Sequence, residues 1–283
     1  MRSSGGAPAV FGEQLSAHLY ADLKAKADSL WPLLVRGLDS EINQLKPTEW
    51  EQYVAFFRSQ YPGLTAFAMA EVLLDTLGNE YSPNAILSFN AEPLLLSLVN
   101  GLFATRRHDS GSYLAGNTPA HQFDKVTRST SYRARGRIPY VFCHGLLRVP
   151  DTVSRHVDSN SIDKLVFSEG QYLTLGNELV SWQAATFVEA CLTRRLVFVG
   201  LSLSDPNIRA WLFRTNRTRL RELAEISPTH DGGSLPHFWL RESPSTKEEA
   251  RWIEASVAHL GVRLVWLPKW SDAGIHLRAL VGI

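Results

Sequence analysis

Three short stretches of this chain carry residue types suited to chemistry. In VFCHGLL (141–147) a histidine, His144, follows an apolar run directly and is followed by Gly145. In ILSFNAEP (86–93) the polar residues Ser88, Asn90 and Glu92 interrupt or end an apolar run. In FVGLSLSDPNIR (198–209) Gly200, Ser202, Ser204 and Asp205 lie just beyond another. An imidazole titrates near neutral pH and can accept a proton at working pH. A carboxamide orients water without trapping a cation. A glycine lets a ligand approach the backbone, because it has no Cβ.

Each stretch also has a plainer reading. A histidine after a buried strand is often a satisfied core residue. Asn90 suits the N-cap of a helix that Pro93 opens. Asp205, just before Pro206, fits an N-cap as well. A fourth stretch, LVFSEGQYL (165–173), runs from apolar residues into Ser168, Glu169 and Tyr172, and reads equally as a cap and a packed aromatic.

The elements that would position these residues follow from periodicity. Residues 11–78 read as mostly helical: EQLSAHLYADLKAKADSLWPLLVRGL, then PTEWEQYVAFFRSQYPG, then LTAFAMAEVLLDTLGN. After residue 80, short apolar runs alternate with helical patterns. Strands are expected at 85–89, 138–145, 163–168, 195–202, 237–241 and 262–268. The polar stretch 106–136 reads as loop. Near-continuous apolar strands alternating with helices predict an α/β fold, a doubly wound and mostly parallel sheet with a helical N-terminal region. The expected division is 1–80 for that region and 81–283 for the core. Such sheets bind ligands at the carboxyl ends of their strands, where all three opening stretches lie.

Composition sets limits. The chain has 283 residues, 45% hydrophobic and 20% charged, with a net charge of +1. That balance gives no global case for binding nucleic acid or an anionic membrane. No apolar run reaches the roughly 20 residues of a membrane span. MRSSGGAPAVFG lacks the apolar core of a signal peptide. The two cysteines, Cys143 and Cys191, form no CxxC pair and suit a reducing cytoplasm, the expected location.

Together the four stretches resemble SIR2-like domains, most closely those of bacterial antiphage defence. There similar segments read approximately as TTNYD, K-x-HG, T-x-x-x-Y and F-x-G-x-SLSDP-x-I. The resemblance covers about residues 80–270 and implies a Rossmann-like fold with NAD as the substrate and no metal. It implies catalytic roles for Asn90, which positions water near the nicotinamide ribose, and for His144, the general base. It places Ser88, Glu92, Gly200, Ser202, Ser204 and Asp205 against the cofactor. Glu92 stands where the family has aspartate, and Phe89 where a smaller polar residue or tyrosine is common. The strand and GAG-x-S loop that cradle pyrophosphate in this class do not occur in the chain, which opens on a segment similar to the one after that loop.

Deacylating sirtuins carry a four-cysteine zinc module, which two cysteines cannot build. The activity implied is therefore hydrolysis of NAD to nicotinamide and ADP-ribose, in an abortive-infection type of defence. The alternative is a non-catalytic nucleotide-binding or assembly subunit that keeps the fold. The expected partner is a separate sensor or regulatory subunit, within a homo- or hetero-oligomer, with no membrane and no direct nucleic-acid contact. Six aromatics of the helical region, Trp31, Trp50, Tyr53, Phe56, Phe57 and Tyr61, are either an interface or inward packing.

Overall fold

The computed structural model describes residues 14–38, 45–78, 80–109, 123–129, 137–147, 149–151, 181–226 and 236–283. The chain divides into two compact units, residues 1–166 with 277–283, and residues 167–276.

The first unit joins helices to a parallel sheet. The stretch read as one long helix is broken. Helical residues 14–19 are followed by α1 (Ala21–Ala27), a 3-10 turn (Asp28–Leu30) and α2 (Trp31–Leu38). Asp28, with φ +45°, ends α1. Next come α3 (Pro47–Gln60) and α4 (Thr65–Thr76). Proline opens α3, and the Glu49 carboxylate reaches back to the Lys46 N–H at 2.7 Å, so the helix start is satisfied from within. Then follow β1 (Ile86–Ser88), α5 (Leu94–Asp109), β2 (Phe123–Val126) and β3 (Ile138–Phe142). The strands are parallel in the order β1-β3-β2.

Both α3 and α4 pack on α5. Tyr53 and Phe57 of α3, Leu34 and Leu38 of α2, Leu98 of α5, and Tyr140 and Phe142 of β3 share one core. The buried Tyr53 hydroxyl is satisfied by Ser97 Oγ at 2.6 Å. Trp31, Trp50, Tyr53, Phe56 and Phe57 are all buried. Tyr61 is half-buried and its hydroxyl donates to Asp22 at 2.9 Å. Five of these six aromatics therefore pack inward, and Tyr61 is partly covered.

Strand β2 corrects the expectation of loop over 106–136. Its sequence, FDKV, holds two charged residues. The buried Asp124 is tolerated because Arg137, just before β3, pairs with it at 3.1 Å.

The second unit repeats the strand–helix rhythm. It holds α6 (Trp182–Thr193), β4 (Val197–Phe198), α7 (Pro206–Ile226), β5 (His237–Glu242), α8 (Lys247–Ala258) and β6 (Val262–Leu267), and α9 (Ala273–Val281) begins here. The strands run parallel in the order β4-β5-β6. Ser181 caps α6 and Thr246 caps α8, each side chain accepting a first-turn N–H. Phe187, Ile208, Leu212, Leu240 and Leu267 fill the core. The strand expected at 163–168 and the start of the helix expected from about residue 171 lie outside the described residues.

Candidate functional site

The eight residues singled out in the sequence fall into two groups, one in each unit. In the first unit, β1 and β3 are adjacent and parallel, and their last register pair is Ser88 with Phe142. Asn90 lies two residues past Ser88, and His144 lies two residues past Phe142. The two segments stay linked beyond the strands: Cys143 N–H donates to Ser88 O at 2.8 Å and Leu147 N–H to Ala91 O at 2.7 Å. Asn90 and His144 thus leave the same carboxyl edge side by side.

The His-Gly pair has a local cause. The Gly145 N–H donates to Phe142 O at 3.1 Å, closing a turn with Cys143 and His144 in its middle. Gly145 has φ +81°, a conformation costly for any residue with a Cβ. The turn brings His144 out of the strand and leaves it half-buried. Its ring meets Phe89 edge-on, centroids 5.3 Å apart and planes at 82°. Cys143, one residue earlier, is buried, and burial pushes its thiol up to about 12, which makes it a poor nucleophile.

Asn90 is exposed and does not cap α5. Glu92 caps it instead, with its Oε2 accepting the Leu94 N–H at 3.0 Å. Its other oxygen accepts from Asn90 Nδ2 at 3.4 Å. Burial raises the Glu92 carboxyl above its usual range, and these two donors offset only part of that rise. The phenols of Tyr20, Tyr53 and Tyr140 are all pushed up, first by burial and also by the negative charge of Glu92. Ser88 Oγ donates to Asn90 O at 3.0 Å, so it supports the loop carrying Asn90.

In the second unit, the turn after β4 holds Gly200, Ser202, Ser204 and Asp205. Gly200 has φ +70°, is exposed, and has no heavy atom within 4 Å of where a Cβ would sit. The Ser202 and Ser204 hydroxyls are exposed and hydrogen-bonded to each other at 2.7 Å. Asp205 Oδ1 accepts the N–H groups of Asn207 at 2.8 Å and Ile208 at 3.2 Å, the N-cap its sequence suggested. The turn is braced from behind. Trp239 Nε1 donates to Leu201 O at 2.8 Å, and Arg209 Nη1 to Leu203 O at 3.2 Å. Leu203 has φ +50°, so Arg209 holds a backbone conformation that leucine rarely adopts.

Sequence reasoning did not pick out Trp239 or Arg209. Arg209 was visible one turn after the Asp205 cap, but nothing in the sequence showed its target. Trp239 lies inside an apolar strand and carries no signal. The stretch with Ser168, Glu169 and Tyr172 lies outside the described residues. Among the described residues there is no cluster of His, Cys, Asp and Glu suited to a metal, and no helix long and apolar enough to cross a membrane.

No curated protein matches the chain at a significant level. The family described as the SIR2-like domain matches residues 110–260, just over half of the chain. That span contains His144 and the whole Gly200–Asp205 turn, and does not extend back to Ser88, Asn90 and Glu92. This family binds NAD, and its members are often NAD-dependent enzymes. With parallel strands, polar strand ends and this match, the chain belongs to the SIR2-like domain family.

Proposed function

We propose that this chain is an NAD glycohydrolase that releases nicotinamide and ADP-ribose. The observation that carries the reading is the register of β1 and β3, which sends Asn90 and His144 off one sheet edge two residues beyond the last paired residues. In this reading the C1′–nitrogen bond breaks and its electron pair neutralises the pyridinium. Positive charge develops on the ribose. Water adds to C1′ and gives up a proton. The Asn90 carboxamide orients that water, and His144 accepts the proton. The apolar wall on one side of His144 is Phe89.

The turn at Gly200–Asp205, taken within its own unit, suits a phosphate or nucleotide group. It offers exposed hydroxyls at Ser202 and Ser204 and an open approach to the backbone at Gly200. Asp205 serves the turn by capping α7, and Glu92 serves Asn90 by capping α5.

The biological setting that fits is an effector in bacterial antiphage defence, kept at low activity until a separate sensor subunit binds. Unrestrained loss of NAD would kill the cell that makes it. Activation requires that the sensor bind the active conformation more tightly than the resting one. A second reading, nucleotide binding without catalysis, draws on the packing of the His144 ring against Phe89.

Incubating the purified chain with NAD, alone and with the products of neighbouring genes, and quantifying nicotinamide tests both readings. Release that depends on Asn90 and His144 supports the enzyme. Saturable NAD binding without release, under every condition, supports the second reading.

A further inference from the structure

Asn90 has a carboxamide with a donor end and an acceptor end, and only the acceptor oxygen can take a hydrogen bond from water or a ribose hydroxyl. An exposed amide on a loop is free to turn over unless a neighbour fixes it. Glu92 is that neighbour. Its Oε2 is committed to the Leu94 N–H at 3.0 Å, on the rigid first turn of α5. Its Oε1 is then fixed in place and meets Asn90 Nδ2 at 3.4 Å. An ionised carboxylate can only accept. Turning the amide over would set two oxygens against each other, so the present orientation leaves Asn90 Oδ1 to the solvent side.

We propose that Glu92 is a positioning residue that sets the orientation of the Asn90 carboxamide, and that it does not itself hold the ribose. This rests on the assignment of Asn90 to the attacking water. The groups facing Glu92 support it. The phenols of Tyr20, Tyr53 and Tyr140 are pushed up and stay neutral at working pH, while burial raises Glu92 itself. His144 is the further ionisable side chain at this edge.

Glutamine at this position separates positioning from binding. Two donors, the Leu94 N–H and the Asn90 amide, meet Glu92, and glutamine brings a single acceptor oxygen. The backbone N–H cannot move, so the glutamine oxygen goes to it and the glutamine NH₂ faces Asn90. The Asn90 amide then turns over and withdraws its oxygen from the site. In Glu92→Gln, kcat should fall about tenfold with KM within about twofold, the pattern of a lost transition-state contact.

The second readout needs no activity. In the full chain, the side-chain ¹H–¹⁵N resonances of Asn90 and the backbone resonance of Leu94 should titrate together, at one midpoint above the usual carboxylate range. Glu92→Gln should remove that step. Asn90 resonances indifferent to pH, or a midpoint that Leu94 does not share, would overturn the proposal. So would a Glu92→Gln enzyme with raised KM and unchanged kcat, since that marks direct binding. If Asn90→Ala keeps full activity, the assignment of Asn90 fails, and the shared titration still decides whether Glu92 orients it. The titration uses the wild-type chain, so a variant that does not fold leaves the test standing.

Discussion

The ring of His144 meets that of Phe89 edge-on, with centroids 5.3 Å apart. Phe89 lies just after β1 and His144 in the turn after β3, so the contact ties two strand ends together. It also bears on which way the imidazole points. Phe89→Ala should leave the imidazole in place chemically but loose in orientation. We expect kcat to fall about tenfold, since a misplaced catalytic group costs up to about 10²-fold. KM should change little. An unchanged kcat would show that the ring contact is packing alone.

Asn90 and Glu92 should separate stability from activity. Asn90 is exposed and caps no helix, so Asn90→Ala should shift stability by less than about 0.5 kcal/mol while abolishing NAD cleavage. Glu92 accepts the Leu94 N–H, so Glu92→Ala should lose about 1 kcal/mol as a capping interaction disappears. Urea unfolding of the two variants, beside nicotinamide release, checks both. A larger loss in Asn90→Ala than in Glu92→Ala would reverse the assignment of the cap.

Gly200 tests the turn in the second unit. No atom would collide with an added Cβ there, so Gly200→Ala suffers only from its backbone, at φ +70°. The left-handed conformation costs a non-glycine residue about 1–2 kcal/mol. We expect a modest loss of stability and a weaker affinity for NAD, read by calorimetric titration. Unchanged affinity would place the dinucleotide away from this turn.

His237 makes the chain sensitive to acid. It is buried at the start of β5, where its Nδ1 accepts the Leu196 N–H at 3.3 Å, which requires the neutral ring. Burial, with the nearby Arg219 charge, lowers its pKa to about 4. The unfolded chain regains a value near 6.5 and binds the proton first, so stability falls as pH drops from about 6.5 to about 4. The loss is roughly 3 kcal/mol across that window, from about 1.36 kcal/mol per pKa unit. Urea midpoints at about pH 7 and pH 4.5 should differ less in His237→Asn than in wild type. Equal pH dependence in the two would remove His237 as the cause.

The strands with contiguous apolar runs were legible in the sequence. Residues 262–267 matched almost residue for residue, because an apolar run leaves an unbroken signal, whereas the strand expected over 138–145 ends at Phe142, where Cys143 to Gly145 turn away. Strand β2 was not legible, since its buried Asp124 is made tolerable by Arg137, thirteen residues away. The break at Asp28 was invisible as well, because periodicity averages over a single residue of unusual φ. At the candidate site, the strand ends pointed to the carboxyl edge where Asn90 and His144 sit together. The sequence offered Asn90 as the cap of α5, and Glu92, two residues on, caps it instead. Only the direction of each side chain settles that.

The central claim is that His144 acts as the general base of NAD cleavage. The most direct measurement is nicotinamide release by His144→Ala, in the assembled and triggered complex, beside a melting curve. His144 is half-buried in a turn held by backbone bonds, so the variant should fold and melt close to wild type. Its rate should fall by about 10² to 10⁴. Turnover at the wild-type rate in a folded His144→Ala complex would contradict the account.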